Sequence, residues 1–410
     1  MTHYVCVMAI DTADTAFILI SAALVLLMTP ALAFFYGGLV RKKNVLNTIM
    51  LSFVPIALVS LQWIFIGYSL SFGPDIGGFI GGLDWFALNN VGLDPSPVYG
   101  DTIPHQAFMI FQMMFAIITP ALITGAFVDR IKFKTFIMFI LLWTTLVYDP
   151  IAHWVWGGGF LGNWGALDFA GGNVVHISSG VSALAAALVI GKRKGLGKSS
   201  MEPADIRLAV LGAGILWFGW FGFNAGSALT SGALATSAFV VTHIAASAAA
   251  LTWMIVSWIR QKKPSVVGIA TGAVAGLVAI TPAAGFVGPM AAVLIGIGVG
   301  VISFFAIEFK NKMGFDDSLD VWAVHGIGGT WGALATGLFA SAIIGGTDGL
   351  FYGNAGQLGI QAASVGITWI YAFVVTFVIL KILDLTMGLR VDEKEEEAGL
   401  DISVHGERVP

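Results

Sequence analysis

Charge is what this chain has least of. Only 11 % of its 410 residues are Asp, Glu, Lys or Arg, against 57 % hydrophobic. A soluble domain carries about a quarter charged residues, so an ordinary water-exposed globule is excluded. Cysteine is nearly absent too: Cys6 stands alone, which rules out an intrachain disulfide and a thiolate metal site. The first ten residues contain no Lys or Arg, so a cleavable secretory signal is not expected.

Long apolar runs fill the remainder. A helix needs roughly twenty apolar residues to cross a bilayer. Eleven stretches qualify, at about 14–40, 45–72, 105–128, 135–152, 172–191, 206–227, 234–259, 265–282, 287–307, 319–341 and 358–384. The expected fold class is therefore an all-α polytopic membrane protein. Lys and Arg concentrate in cytoplasmic loops. Clusters at Arg41 to Lys43, Arg130 to Lys134, Lys192 to Lys198, Arg207, Arg260 to Lys263, Lys310 with Lys312, and the tail from Lys381 all fall on one side of an eleven-span layout. That layout puts the N-terminus outside and the C-terminus inside. It leaves Asp11, Asp14, Asp75, Asp84, Asp94, Asp101, Asp149, Asp168 and Asp348 on the external side, read as solvated loop residues around a mouth that attracts cations.

Eleven divides as five, five and one. Two five-span repeats insert with opposite orientation, a common transporter plan with the substrate path at the repeat interface. The expected organisation is a transmembrane domain over 1–384, with repeat one at about 14–191, repeat two at about 206–341 and an extra helix at about 358–384, followed by a cytoplasmic tail at 385–410. His176 lies in the fifth span of the first half and His325 in the fifth span of the second. An ionisable side chain at membrane depth costs roughly 2.5–3.5 kcal/mol on insertion scales and marks a functional site by default. Each histidine follows an aspartate: Asp168 by eight residues, Asp320 by five. His176 starts near one face and His325 near the other, so they meet only if both helices begin deep in the membrane. Gly157 to Gly159 and Gly171-Gly172 permit irregular backbone there.

Other features carry less. Gly191-Lys-Arg-Lys-Gly-Leu-Gly-Lys198-Ser199 superficially resembles a phosphate loop, but Lys192 stands where the motif needs glycine, and no nucleotide site or nucleic-acid partner is expected. No metal or cofactor is expected, because two histidines and a carboxylate lack a polar surround. No nucleophile–base pair suggests an enzyme. His243 reads as an interhelical hydrogen-bonding residue, and His105 and His153 as interfacial. Met109, Met113 and Met114 read as packing, as do Gly268, Gly272 and Gly276 at four-residue spacing. Asp392 to Glu397 has the composition of a solvated tail. Phe111 and Phe115 share a helix face, as do Phe223 and Ser227, and a Trp face with a hydroxyl can hold a small cation.

Together, Ala33-Phe-Phe-Tyr-Gly-Gly-Leu, Ile151-Ala-His-Trp-Val-Trp156-Gly-Gly-Gly, Gly165-Ala-Leu-Asp168-Phe-Ala-Gly-Gly, Val174-Val-His176, Gly219-Trp-Phe-Gly-Phe223-Asn-Ala-Gly-Ser227, Thr281-Pro-Ala-Ala-Gly, Val324-His325-Gly and Asp384-Leu-Thr-Met-Gly-Leu-Arg390 closely resemble the ammonium transporter family (Amt/Mep/Rh), the Amt branch in particular. The resemblance runs nearly end to end. It implies that Trp156, Phe115 and Ser227 recruit ammonium at an external site, with Asp168 as its structural support. It implies that Phe115 and Phe223 form a stacked phenyl gate, and that His176 and His325 are twin pore histidines. Asn173 stands where many members have threonine, and Trp322 where phenylalanine is frequent. A homotrimer in the cell (plasma or inner) membrane is implied, as is docking of a PII-type signalling protein on the cytoplasmic face. The expected activity is ammonium uptake: NH4+ is recruited, deprotonated and passed as NH3 with net charge movement. An ammonium sensor and an Rh-like gas channel for ammonia or carbon dioxide are the alternatives. No output domain follows the tail, which favours transport over sensing, and Trp156 disfavours the gas channel. The tail is expected to lie across loops 129–134 and 192–198, its carboxylates meeting Arg130, Lys132, Lys192 and Arg193.

Overall fold

The computed structural model describes residues 9–96 and 98–409, and Cys6 lies outside them. Among the described residues, nine helices are long and apolar enough to cross a membrane: Thr12–Leu39, Lys42–Phe72, His105–Ala126, Phe133–Asn163, Gly172–Ile190, Ile206–Gly226, Ala233–Gln261, Pro289–Met313 and Ala355–Met387. The other two apolar stretches are shorter. Val266–Ile280 is a 15-residue helix, about 22 Å long at 1.5 Å per residue, ended by Pro282, which cannot continue it. The His325 segment runs from Trp322 to Phe339. This is a multi-pass membrane protein. Its outer wall is apolar, with Leu61, Phe65, Phe218, Ile259 and Ile370 exposed on four of the helices, while serines, threonines and amides turn inward.

The first helices of the two halves, Thr12–Leu39 and Ile206–Gly226, lie along each other as the most extensive helix pair in the molecule. Small residues permit this: a Cβ at Gly212 would sit 2.4 Å from the Phe35 backbone nitrogen. Gly272 and Gly276 pack against Trp253 and Ala245, as their spacing predicted. Among the described residues, four helices contain π-turns, at Trp63–Gly67, Thr144–Tyr148, Gly172–Ile177 and Trp322–Ile327. Two of these hold the two histidines, and π-turns concentrate at functional sites.

Several polar residues depart from expectation. Asp14, Asp149 and Asp168 are buried rather than solvated. Asp149 lies within its helix and takes hydrogen bonds from Gln62 (2.7 Å) and Ser71 (3.3 Å). His153 and His105 are not interfacial either. His153 is buried between the Ser71 carbonyl and Asp75, and His105 pairs with the Tyr68 hydroxyl at 2.5 Å. His243 goes the other way. It is exposed and meets Trp217 at 5.3 Å with the rings tilted by 34°, and it has no side-chain hydrogen bond among the described residues. Met109, Met113 and Met114 are buried packing, as expected.

The tail is ordered. Ile131 and Arg390 form a two-residue bridge, and Val391 N–H donates to the Arg130 carbonyl at 3.0 Å. Two short helices follow, Glu393–Ala398 behind an Asp392 capping box and Leu400–His405. The tail lies on the expected loops, but different cations meet its carboxylates. Lys194 binds Glu393 and Glu397 with its ammonium and Glu396 with its backbone N–H. Arg390 pairs with Glu396 from within the tail, and Lys43 holds the carbonyls of Glu396 and Glu397. Arg193 is engaged with Asp316 instead. Arg130 points inward to the carbonyls of Ala126, Val128, Gly191 and Asp316; burial pulls it down to about 10, so it stays cationic. Glu396, Leu400 and Asp401 are buried, so a solvated appendage is not what these residues form.

Candidate functional site

Each histidine is placed by a helix that starts inside the molecule. In the first half, Asp168 caps that start. Its Oδ1 accepts from the N–H groups of Gly171 (2.8 Å) and Gly172 (2.5 Å), and its Oδ2 from Asn173 (2.7 Å) and Val174 (3.3 Å). These are the amides a helix start leaves without intrahelical partners, and a carboxylate also suits the positive end of the helix dipole. In the second half the corresponding cap is Asp317, which accepts from Trp322 N–H at 2.7 Å. Asp317 precedes His325 by eight residues, matching Asp168 and His176. Asp320, the aspartate five residues before His325, pairs with Lys310 instead.

The two helices then cross where neither has a side chain: a Cβ at Gly180 would stand 2.0 Å from the Gly326 nitrogen. That contact brings the imidazoles together. The Nδ1 atoms of His176 and His325 are 3.2 Å apart, with ring centroids at 5.3 Å. A hydrogen bond between two Nδ1 atoms needs one protonated and one bare nitrogen, so a single proton is shared. The Nε2 of His176 is buried and has no hydrogen-bond partner among the described residues. The depth problem posed by the sequence is thus resolved by two interior helix starts.

Aromatic rings continue the line. Phe223 lies nearly parallel to His176 at 6.1 Å, and Trp220 at 5.5 Å. Phe115 contacts Phe223 at 4.4 Å with the planes tilted by 45°, so these rings meet at an angle rather than as a parallel stack. Trp156 stands edge-on to Phe115 at 6.0 Å, its indole N–H fixed by the Asp168 carbonyl at 2.8 Å. Ser227 donates to Phe223 O at 2.9 Å, which leaves its oxygen lone pairs free to accept. Trp156, Phe115 and Ser227 line one cavity of about 290 Å³ together with Gln112 and Tyr99. A second cavity of about 160 Å³ is lined by both histidines, Phe223, Trp220, Tyr36 and Asp320. Phe115 and Phe223, both buried, separate the two.

Asp168 lines neither cavity. Its side chain accepts from the four backbone N–H groups. Asn173 donates to Ser364 at 3.1 Å beside that cap, and Trp322 packs on Phe315, away from the rings. Sequence reasoning missed Trp220, anchored to Thr281 at 2.9 Å and covering one face of His176. Its signal was available: Trp220 and Phe223 are three apart on one helix face.

The chain matches the model of the Ammonium Transporter Family over residues 16–409. The chain belongs to the ammonium transporter family. It is 54 % identical to an ammonium transporter of Bacillus subtilis, across 96 % of this chain and 98 % of that protein. The Mep2 crystal structure from Candida albicans superposes with a TM-score of 0.89 at 39 % identity, covering 94 % of this chain and 88 % of the other. A structure described as a sensor Amt protein superposes at 0.88 with 30 % identity, over 96 % and 98 % of the two chains. For an ammonium transporter family member, the two cavities and the ring line between them are the natural place to seek the pathway.

Proposed function

We propose that the chain takes up ammonium by recruiting NH4+ beside Trp156, Phe115 and Ser227, stripping a proton there, and passing NH3 between Phe115 and Phe223 to His176 and His325. The observation that carries this reading is the histidine pair: two buried imidazoles sharing one proton in the cavity that lies beyond the Phe115–Phe223 rings from the Trp156 cavity. Ammonium and potassium are of similar size, so a size filter separates them poorly. Ammonium can become neutral and cross an apolar constriction; potassium cannot. The proton lost by NH4+ is taken up by the imidazole pair and handed on across its shared hydrogen bond to the far side, so charge follows the gas. The layout belongs to the same proposal: eleven spans, N-terminus outside, C-terminus inside, two inverted repeats (14–191 and 206–341) plus helix 358–384, assembled as a homotrimer in the cell membrane. The greater identity to a curated transporter than to the sensor structure favours transport.

The test is current through liposomes containing only this protein. Ammonium and methylammonium should drive current, while potassium neither carries it nor competes strongly. A robust potassium current through the wild-type protein overturns the mechanism.

For the recruitment site, Trp156→Leu and Ser227→Ala each remove one contact to the cation. A cation–π face alone is worth about 0.5–2 kcal/mol, so half-saturation should rise several-fold to about thirtyfold in the double variant, with maximal flux retained. Unchanged concentration dependence in the double variant would return both residues to packing.

The tail, 385–410, is proposed as a regulatory surface that a PII-type signalling protein reads together with loops 129–134 and 192–198. Deleting residues 391–410 removes Glu396 and Asp401 from their buried contacts with Arg390, Lys194 and Asn47. Membrane insertion should survive, and transport or its response to the host's PII protein should fall. Pull-down and flux both indifferent to the deletion would end this part of the proposal.

A further inference from the structure

The backbone before each histidine follows the same plan with one substitution. Five residues before His176 stands Gly171, with φ at +121°. Five residues before His325 stands Asp320, with φ at +62°. Glycine occupies that region freely, whereas a side chain there is uncommon and persists only where its surroundings fix it. What fixes Asp320 is Lys310, at the end of Pro289–Met313. Its ammonium forms an ion pair with the Asp320 carboxylate and donates to the Asp317 carbonyl at 2.8 Å. Lys310 is itself buried.

The caps differ as well. All four cap hydrogen bonds of the first half go to Asp168, two to each oxygen. Asp317 uses Oδ2 for Trp322 N–H, while its Oδ1 is buried without a partner. The second helix start is therefore the less supported of the two, and it needs holding from outside. One side is held by Arg130, which donates to Asp316 O at 2.5 Å and Ser318 Oγ at 2.7 Å, and by the Gly125 carbonyl, which accepts from Leu319 at 3.0 Å. Lys310 holds the other. The first helical bond then runs from Val324 N–H to Asp320 O at 3.0 Å, one residue before His325.

We propose that Lys310 and Asp320 are positioning residues for transport: the ion pair between the buried Lys310 and the partly exposed Asp320 sets where His325 stands against His176, the task a glycine performs unaided in the first half. The inference rests on the transport reading above and extends it to Lys310, which lines neither cavity, and to Asp320, which lines the histidine cavity and acts through its ion pair. Geometry of this kind is costly to lose, since a displacement of about 1 Å can lower a rate on the order of a hundredfold.

The decisive experiment compares ammonium currents of full-length variants in liposomes. Asp320→Asn leaves the buried Lys310 ammonium without its carboxylate, and Lys310→Met leaves Asp320 unheld at its positive φ; each should lower maximal flux by about tenfold or more without moving half-saturation, because the recruitment site lies at the other end of the path. Lys310→Arg should keep most of the flux. Lys310→Met combined with Asp320→Gly removes both charges and restores the first half's solution, and should regain most of what Lys310→Met alone loses. That recovery is not expected of a residue that merely stabilises the fold. Should Lys310→Met alone not be recovered from membranes, the arginine and double variants carry the comparison. Wild-type flux in Lys310→Met, or a double variant no better than the single, overturns the inference. Absence of ammonium current in the wild-type protein would instead overturn the transport reading, so the two failures are told apart.

Discussion

Alanine at His176 or at His325 should abolish selective ammonium transport while leaving the protein folded and inserted. Each imidazole is the other's hydrogen-bond partner at 3.2 Å, and both are buried. Removing one ring takes away the acceptor for a proton and leaves its partner's Nδ1 without a protein contact. Relay of a proton by a positioned side chain is typically worth 10²–10⁴-fold in rate, so flux should drop by about that factor or to background. Packing should change little, because the lost ring faces a cavity rather than a filled core. The aspartate variant at the first position separates two ideas. A carboxylate in His176→Asp still accepts a proton, but it also attracts cations, so current should persist with weakened discrimination against potassium. Proteoliposome currents in ammonium and potassium, read beside thermal melting in detergent, check all three variants. Wild-type selectivity in both alanine variants would sink the relay.

How much of this was legible in the sequence depends on the range of the interaction concerned. Membrane class followed from apolar runs, because the bilayer imposes a length that the sequence must satisfy locally. The packing role of Gly272 and Gly276 followed from their spacing. The burial of Asp149, His105 and His153 did not, since their partners Gln62, Tyr68 and Asp75 are 87, 37 and 78 residues away in the chain. Asp317 was passed over for a subtler reason. Three aspartates stand in Asp316-Asp317-Ser-Leu-Asp320, and only the backbone shows which one turns back to cap the helix. The tail shows the same limit: complementary charge predicted where it docks, but the pairing of Lys194 rather than Arg193 with its carboxylates was decided by Asp316, which already holds Arg193. Trp220 was legible by spacing and was overlooked among many tryptophans.

Asp168→Ala should be the most damaging change outside the pore itself. The substitution leaves four amides, those of Gly171, Gly172, Asn173 and Val174, without their acceptor at a buried helix start. An unsatisfied buried polar group costs about 1–3 kcal/mol, so four amount to several kcal/mol even with partial rearrangement. That rivals the whole stability of a typical fold, about 5–15 kcal/mol. The same change frees the π-turn holding His176 and loosens the Asp168 backbone that fixes the Trp156 indole at 2.8 Å. Asp168→Asn is the informative companion. Its amide oxygen can still accept from two of the four N–H groups, but its NH2 would point at the other two, donor against donor. If Asp168 acted as a cation contact, Asp168→Asn would raise half-saturation and leave thermal stability nearly untouched. If it acts as a cap, both variants should lower the melting temperature and maximal flux together, alanine no less severely than asparagine, with half-saturation unmoved in whatever flux remains. Since the Asp168 side chain lines neither cavity, the second pattern is the one expected. A stable Asp168→Asn protein whose only defect is affinity would show that this carboxylate meets the cation after all.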